Sequence, residues 1–200
     1  MSKTAKLLLI IAGIVLFLAV LFIKPYNNMV QKDETCSKAW ANVENAYQRR
    51  MDLIPNLVKT VQGAAEYEKG TLEAVVEARS KATSIQVDPT NLTEESLAKF
   101  QAAQDQLSSA LSRLMVVVER YPDLKANQNF ASLMDALEGT ENRINVERNN
   151  FNKTVNDYNT YIRRFPNNVL AGFFNFNKKG YFKASEGAEN VPNVEFNFNN

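Results

Sequence analysis

The sequence predicts an all-α protein: an amino-terminal transmembrane helix, then an antiparallel bundle of long helices, then an extended aromatic tail. The bundle has three helices, or four if the first is counted as broken at Pro55. Three observations lead there. Leu7 to Ile23 is an apolar run of 17 residues without a charge. The middle of the chain carries apolar stripes at helical spacing. The last 35 residues, from Pro166, lose that period and fill with asparagine, glycine and aromatic side chains. The expected division is 1–24 anchor, 25–165 bundle and 166–200 tail.

At about 1.5 Å per residue the apolar run spans roughly 26 Å, the short end of what crosses a hydrocarbon core about 30 Å thick. Lys3 and Lys6 precede it and Lys24 follows. A cleaved signal would have a shorter run and a small-x-small site after it. Here Lys24-Pro25-Tyr26-Asn27 follows, so a retained anchor is expected. Lys24, Lys32 and Lys38 nearly balance the amino-terminal charges. The positive-inside comparison is therefore close to a tie. The short amino-terminal tail tips the expectation toward a single-pass protein with an inside amino terminus and an extracytoplasmic body.

From Met29 to Ile85 only Pro55 interrupts a helical pattern, with Trp40, Val43, Tyr47, Ile54, Leu57, Val61 and Ala65 on one stripe. One helix of roughly 85 Å is expected, part of it a stalk above the anchor and kinked at Pro55. Gly63 and Gly70 would lie inside it, either serving close packing or simply tolerated. A second helix is expected after Asp88-Pro89, with Asn91 as cap and Glu94 completing a capping box. It runs through Leu97, Phe100, Leu107, Leu111, Leu114 and Val118 to Tyr121-Pro122.

The third helix, from near Lys125, has the cleanest seam: Phe130, Met134, Leu137, Glu141, Ile144, Arg148, Phe151, Val155, Tyr158 and Ile162. Steps alternate four and three, as in coiled-coil packing. Glu141 and Arg148 are polar intrusions, either paired with another helix or exposed. Pro166 ends the helix. Beyond it, Val194, Phe196 and Phe198 alternate as a strand would, with no other strand to join. An extended arm with its aromatics docked on the bundle is expected.

Chemistry is thinly represented. The 200 residues carry a net charge of +1, no histidine and one cysteine. No broad basic field invites nucleic acid. The commonest general base and metal ligand are both missing, and an internal disulfide is impossible. A di-metal bundle site needs Glu-x-x-His motifs, which cannot be written here. Glu73 and Glu77, and Glu94 beside Glu95, suit solvated helix faces. Catalytic residues, cofactor and metal are all expected to be none, although a Ser-Lys pair stays open. The densest polar group is Arg49, Arg50, Asp52 and Asn56 around Pro55. It either satisfies backbone groups at the kink or forms a partner surface.

These residues also resemble a known family. Tyr26-Asn27-x-Met29-Val30, Ala39-Trp40-Ala41-x-Val43-Glu44, Arg49-Arg50-x-Asp52-Leu53-Ile54-Pro55-Asn56-Leu57-Val58-x-Thr60-Val61, Tyr67-Glu68 and Glu77-Ala78-Arg79 follow in order. Tyr158-Asn159-x-x-Ile162-x-x-Phe165-Pro166, Ala171-Gly172-Phe173, Tyr181-Phe182 and Pro192-Asn193-Val194-x-Phe196 close the pattern. Nearly the whole chain resembles the LemA family of bacterial membrane proteins. The resemblance implies an antiparallel bundle on a membrane helix, no settled enzymatic activity, and links in some relatives to specialised membranes, including magnetosome formation.

The expected function is a membrane-anchored, non-enzymatic scaffold that recruits protein partners. Its alternative is a membrane-remodelling or lipid-binding protein; an uncharacterised enzyme comes third. Phe173, Phe174, Phe176, Lys178, Lys179, Tyr181 and Phe182 are the candidate membrane or partner contacts. Such a protein needs a membrane and a protein partner of unspecified identity, with a second copy of itself among the candidates, and no nucleic acid.

Overall fold

The computed structural model describes residues 2–63 and 68–183, and within them the protein is all-α. Six helices follow in order: α1 Lys3–Gln62, α2 Lys69–Ser84, α3 Glu94–Val118, α4 Pro122–Lys125, α5 Gln128–Arg163 and α6 Asn167–Phe173. α1 has 60 residues and runs without interruption through both Pro25 and Pro55, which makes it about 90 Å long. Among the described residues, no helix is long and apolar enough to cross a membrane.

The expected single helix from Met29 to Ile85 is two helices. α1 ends at Gln62, where Gly63 donates its N–H back to the Lys59 carbonyl. α2 returns alongside, so that Arg79 reaches Met51. Neither glycine serves close packing: a side chain at Gly63 would meet only its own helix's carbonyls, and one at Gly70 would meet nothing within 4 Å. No stalk separates the apolar run from the bundle either. Met29, Cys36 and Trp40 are already fully buried.

α5 lies antiparallel to α1. Cys36 meets Thr154, Trp40 meets Phe151, and Arg50 meets Glu141. The expected seam of α5 is the buried one: Phe130, Leu137, Ile144, Phe151, Val155, Tyr158 and Ile162 are all interior. α3 packs against α2 and runs parallel to α1, with Phe100 on Tyr47 and Gln104 on Arg50. Its cap differs from the expected one. Thr93 caps the helix and exchanges bonds with Ser96 in a capping box, leaving Asn91 in the preceding turn. Asn127 caps α5 by accepting from the N–H groups of Asn129 and Phe130. The shared rule is a side-chain oxygen satisfying the first free N–H groups of a helix.

The core has two parts. Near the α6 end, Trp40, Tyr47, Phe100, Phe151, Tyr158 and Phe182 gather with aliphatic side chains. Toward the α1–α2 connection, Ile54, Leu57, Leu72, Leu107, Leu114 and Leu137 pack with alanines.

Past Pro166 the expected extended tail begins instead with α6, which buries Leu170 and Ala171. Asn175, at φ 59°, then turns the chain, while Phe176 donates its N–H to the Ala171 carbonyl at 2.9 Å. This is a left-handed helix stop, and asparagine tolerates that backbone. Residues 177–183 then run back across the bundle as a strap. Val194, Phe196 and Phe198 lie outside the described residues.

Candidate functional site

Arg50 does not belong to the expected partner surface. It is 1 % exposed. Its Nη1 donates to Ser108 Oγ at 3.0 Å and to the Glu141 carboxylate. Nη2 donates to Gln104 Oε1 at 2.5 Å, and the guanidinium stands 5.2 Å from the Tyr47 ring centroid. One cation thus ties α1 to α3 and α5 at the border between the two core regions. Its fork geometry suits several acceptors at once. Arg50 Nε has no acceptor, so the position carries a desolvation cost. The Glu141 side chain is 44 % exposed, so solvent partly screens the ion pair.

Pro55 has no N–H, which frees the carbonyl of Met51 one turn earlier. Neither Asp52 nor Asn56 fills that vacancy. Asp52 accepts from Gln48 Nε2 at 2.7 Å. The Met51 carbonyl accepts instead from Arg79 Nε of α2 at 2.9 Å. The proline on one helix thereby creates the acceptor that holds the next. Arg49, Asp52 and Asn56 remain exposed. Spaced three and four apart, they share one face of α1.

The strap is held by side-chain amides that imitate a neighbouring strand. Asn159 accepts from the Lys179 N–H and donates to the Lys179 carbonyl, both at 2.9 Å. Asn152, two turns away, does the same for Phe182, both again at 2.9 Å. Gly180 donates its N–H to the Leu92 carbonyl at 2.8 Å. A Cβ there would sit 2.6 Å from the Glu94 backbone nitrogen, so only glycine fits. Lys179 is buried and pairs with Asp33 at 2.8 Å. Phe182 stacks on Trp40 and meets Phe151 and Phe100 edge-on. Lys179 and Phe182 therefore leave the set of expected outward contacts, and Phe176 is half-buried. Phe173, Phe174, Lys178 and Tyr181 are exposed.

Cys36 lies beneath the strap. Burial pushes its thiol up to about 11, with the nearby Lys179 ammonium partly opposing that rise. A thiol so placed is protonated at neutral pH and a poor nucleophile. Among the described residues, no three metal-binding side chains converge. The carboxylates of Glu73 and Glu77 are exposed, and Glu77 pairs with Lys81 at 2.8 Å. A surface groove of about 630 Å³ lies between α1 and α2 and is lined by Val58, Leu72 and Val76.

Asn159 enters the sequence reading only through the closing family motif and Asn152 not at all, although their heptad spacing beside the Phe151–Tyr158 seam is visible there. Arg79 could have been paired with Pro55 only by knowing that α2 turns back. Asp33, Gln104 and Ser108 carry no sequence signal that separates them from other polar helix residues.

The profile of the LemA family matches residues 39–196, and the chain belongs to that family. Magnetosome protein MamQ 2 of Paramagnetospirillum magneticum is 28 % identical over 196 residues, covering 90 % of this chain and 72 % of that protein. Magnetosome protein MamQ of Magnetospirillum gryphiswaldense is 27 % identical, covering 86 % and 69 %. Protein LemA of Metamycoplasma hominis is 25 % identical, covering 80 % and 69 %.

Proposed function

We propose that this member of the LemA family is a membrane-anchored, non-enzymatic scaffold that recruits protein partners beside the bilayer. One observation carries the proposal. The apolar run and the first buried seam of the bundle lie on the same continuous helix, and the described side chains of the run are exposed. Leu7, Leu8, Leu9, Ile10 and Leu16 are each about 60 % exposed or more (59, 66, 61, 61 and 68 %). Water does not favour such a surface, and a bilayer core would cover it. With the run in the membrane, the body is fixed rigidly above it, single-pass, on the extracytoplasmic side of the inner membrane.

The face of Arg49, Asp52 and Asn56 is then the recruiting surface, together with the apolar groove near the far end of α1. The relatives named magnetosome proteins support service to a specialised compartment more than a shared reaction.

The test is complementation of a deletion strain with in-cell crosslinking. Reversing Arg49→Glu with Asp52→Lys should abolish both function and the crosslinked partner while leaving abundance unchanged. Removing residues 1–24 should release the protein from alkaline-washed membranes and abolish function. If one carboxylate or hydroxyl deletion removes function with abundance and crosslinks intact, an enzyme replaces the scaffold.

A further inference from the structure

Among the described residues, the most exposed aromatic side chains of the body are gathered at one end. Phe165, Val169 and Phe173 are spaced four apart and are 84, 62 and 79 % exposed, with Phe174 beside them at 45 %. α6 turns Asn167, Leu170 and Ala171 inward, so its solvent side is an apolar one. Tyr26 fixes the height of this patch. Its ring lies 4.8 Å from Phe174 and 5.8 Å from Phe176, centre to centre. Tyr26 is three residues past Ile23, the end of the apolar run, which is about 4.5 Å along the helix. The patch is therefore level with the first turn of α1 after the run ends.

The two segments that border it carry only basic charge, of which Lys179 and Lys183 are paired with Asp33 and Glu94. From Tyr158 to Lys183 there are five basic residues, Arg163, Arg164, Lys178, Lys179 and Lys183, and no acidic one. From Lys24 to Lys32 there is no acidic residue either. Lys24, Arg163, Arg164 and Lys178 are all exposed. Aromatic side chains flanked by lysine and arginine match the headgroup layer, where rings partition between apolar and wet regions and cations meet anionic lipid.

We infer that α6 and its flanks are a membrane foot: Phe165, Val169, Phe173 and Phe174 enter the bilayer interface while Lys24, Arg163, Arg164 and Lys178 engage anionic headgroups. The foot deepens, and rests on, the anchored reading above. It gives the body a second attachment about one turn from the first, so that α1 is held at a fixed tilt and the Arg49 face stands at a fixed height. The occupant is the bilayer because the patch continues the apolar surface of α1 and borders the same basic residues.

The full-length chain, carrying Leu16→Cys, Phe173→Cys or Val116→Cys one at a time, would be labelled with an environment-sensitive fluorophore and reconstituted into phosphatidylcholine vesicles. Nitroxide lipids would be placed shallow or deep, with and without phosphatidylglycerol. Val116 is 71 % exposed and lies on α3 toward the far end. The expected result is deep quenching at position 16 and severalfold stronger shallow quenching at position 173 than at 116. Phosphatidylglycerol should increase the signal at 173, and Arg163→Gln with Arg164→Gln should remove that increase. Equal quenching at 173 and 116, with position 16 still deep, overturns the foot and leaves the anchor standing. Quenching at 173 without any at 16 supports the foot and overturns the anchor. Shielding of 173 in detergent that grows with protein concentration overturns the foot by giving the face to a second copy.

Discussion

The two halves of the bundle are held by different kinds of interaction. Near the α1–α2 connection, Ile54, Leu57, Leu72, Leu107 and Leu114 interlock with Ala78, Ala82, Ala103 and Ala110. Any sequence with the same volume at the same period would serve much the same purpose. Near α6 the core is aromatic, and an irregular strap closes it through four amide hydrogen bonds, one glycine and the ion pair of buried Lys179 with half-buried Asp33. Apolar burial is non-directional, whereas amide bonds and ring edges demand position. The half nearest the apolar run is therefore the more exactingly specified, and Arg50 sits at the border.

The largest effect should separate the two cores directly. Phe151→Ala, which removes edge contacts to Trp40 and Phe182, should cost about 4–5 kcal/mol, against about 3 for Leu114→Ala. Urea unfolding of both variants decides it. An equal or reversed order would break the contrast. At the border, Glu141→Ala should cost about 2–3 kcal/mol because it strands the buried Arg50 cation. The double change Arg50→Met with Glu141→Leu should cost less than that single one, since an apolar pair needs no partner. If the double change is the worse of the two, the cation contributes packing that the ion-pair account omits.

The link between Pro55 and Arg79 sharpens what holds the far half. Arg79→Met should cost about 1.5–2 kcal/mol, as loss of a charged hydrogen bond does. In a Pro55→Ala background, position 55 regains an N–H for the Met51 carbonyl, and the cost should fall by roughly half. A strictly additive double-mutant cycle would dismiss the coupling. In the other half, Asn152→Ala or Asn159→Ala should each cost about 1–1.5 kcal/mol. Each should also speed tryptic cleavage after Lys179, and equal cleavage rates in wild type and variants would show that the strap does not rely on the amides.

The smallest effect is on pH. The Cys36 thiol rises from 9.0 to about 11 on folding, so the unfolded chain releases this proton first. Its contribution is complete below pH 9, and it is lost as pH climbs from 9 to 11. Between pH 9 and 10 the wild type should lose on the order of 1 kcal/mol more than Cys36→Ala, read from paired urea midpoints. Parallel pH profiles would mean that the thiol is solvated.

Much of this was legible in the sequence. The α5 seam, the stop at Pro166, the aliphatic stripe of α1 and the family all follow from period and motif. Helix ends were less legible, because Thr93 and Asn91 are both competent caps and only the packing of α3 selects between them. The carboxyl end of α1, at Gln62, is illegible for a related reason: the apolar period continues past Gly63, and it does not record a reversal of direction. The burial of Arg50 went against its residue type, since a charge goes inside only when other helices bring acceptors to it.

What the sequence alone determined is therefore the local and the periodic. Residues three and four apart share a helix face whatever surrounds them, and that settles the helices and most of their buried sides. What only the tertiary structure decided is which distant groups meet. Arg50 with Glu141, Arg79 with Met51, and Asn159 with Lys179 each depend on how helices align in three dimensions. The same is true of α6, whose outward aromatics look like core in the sequence and become surface because Leu170 and Ala171 take the inward side. A seven-residue helix has too few turns for its pattern to say which side faces the bundle, and the packing of α1 against α5 supplies that answer.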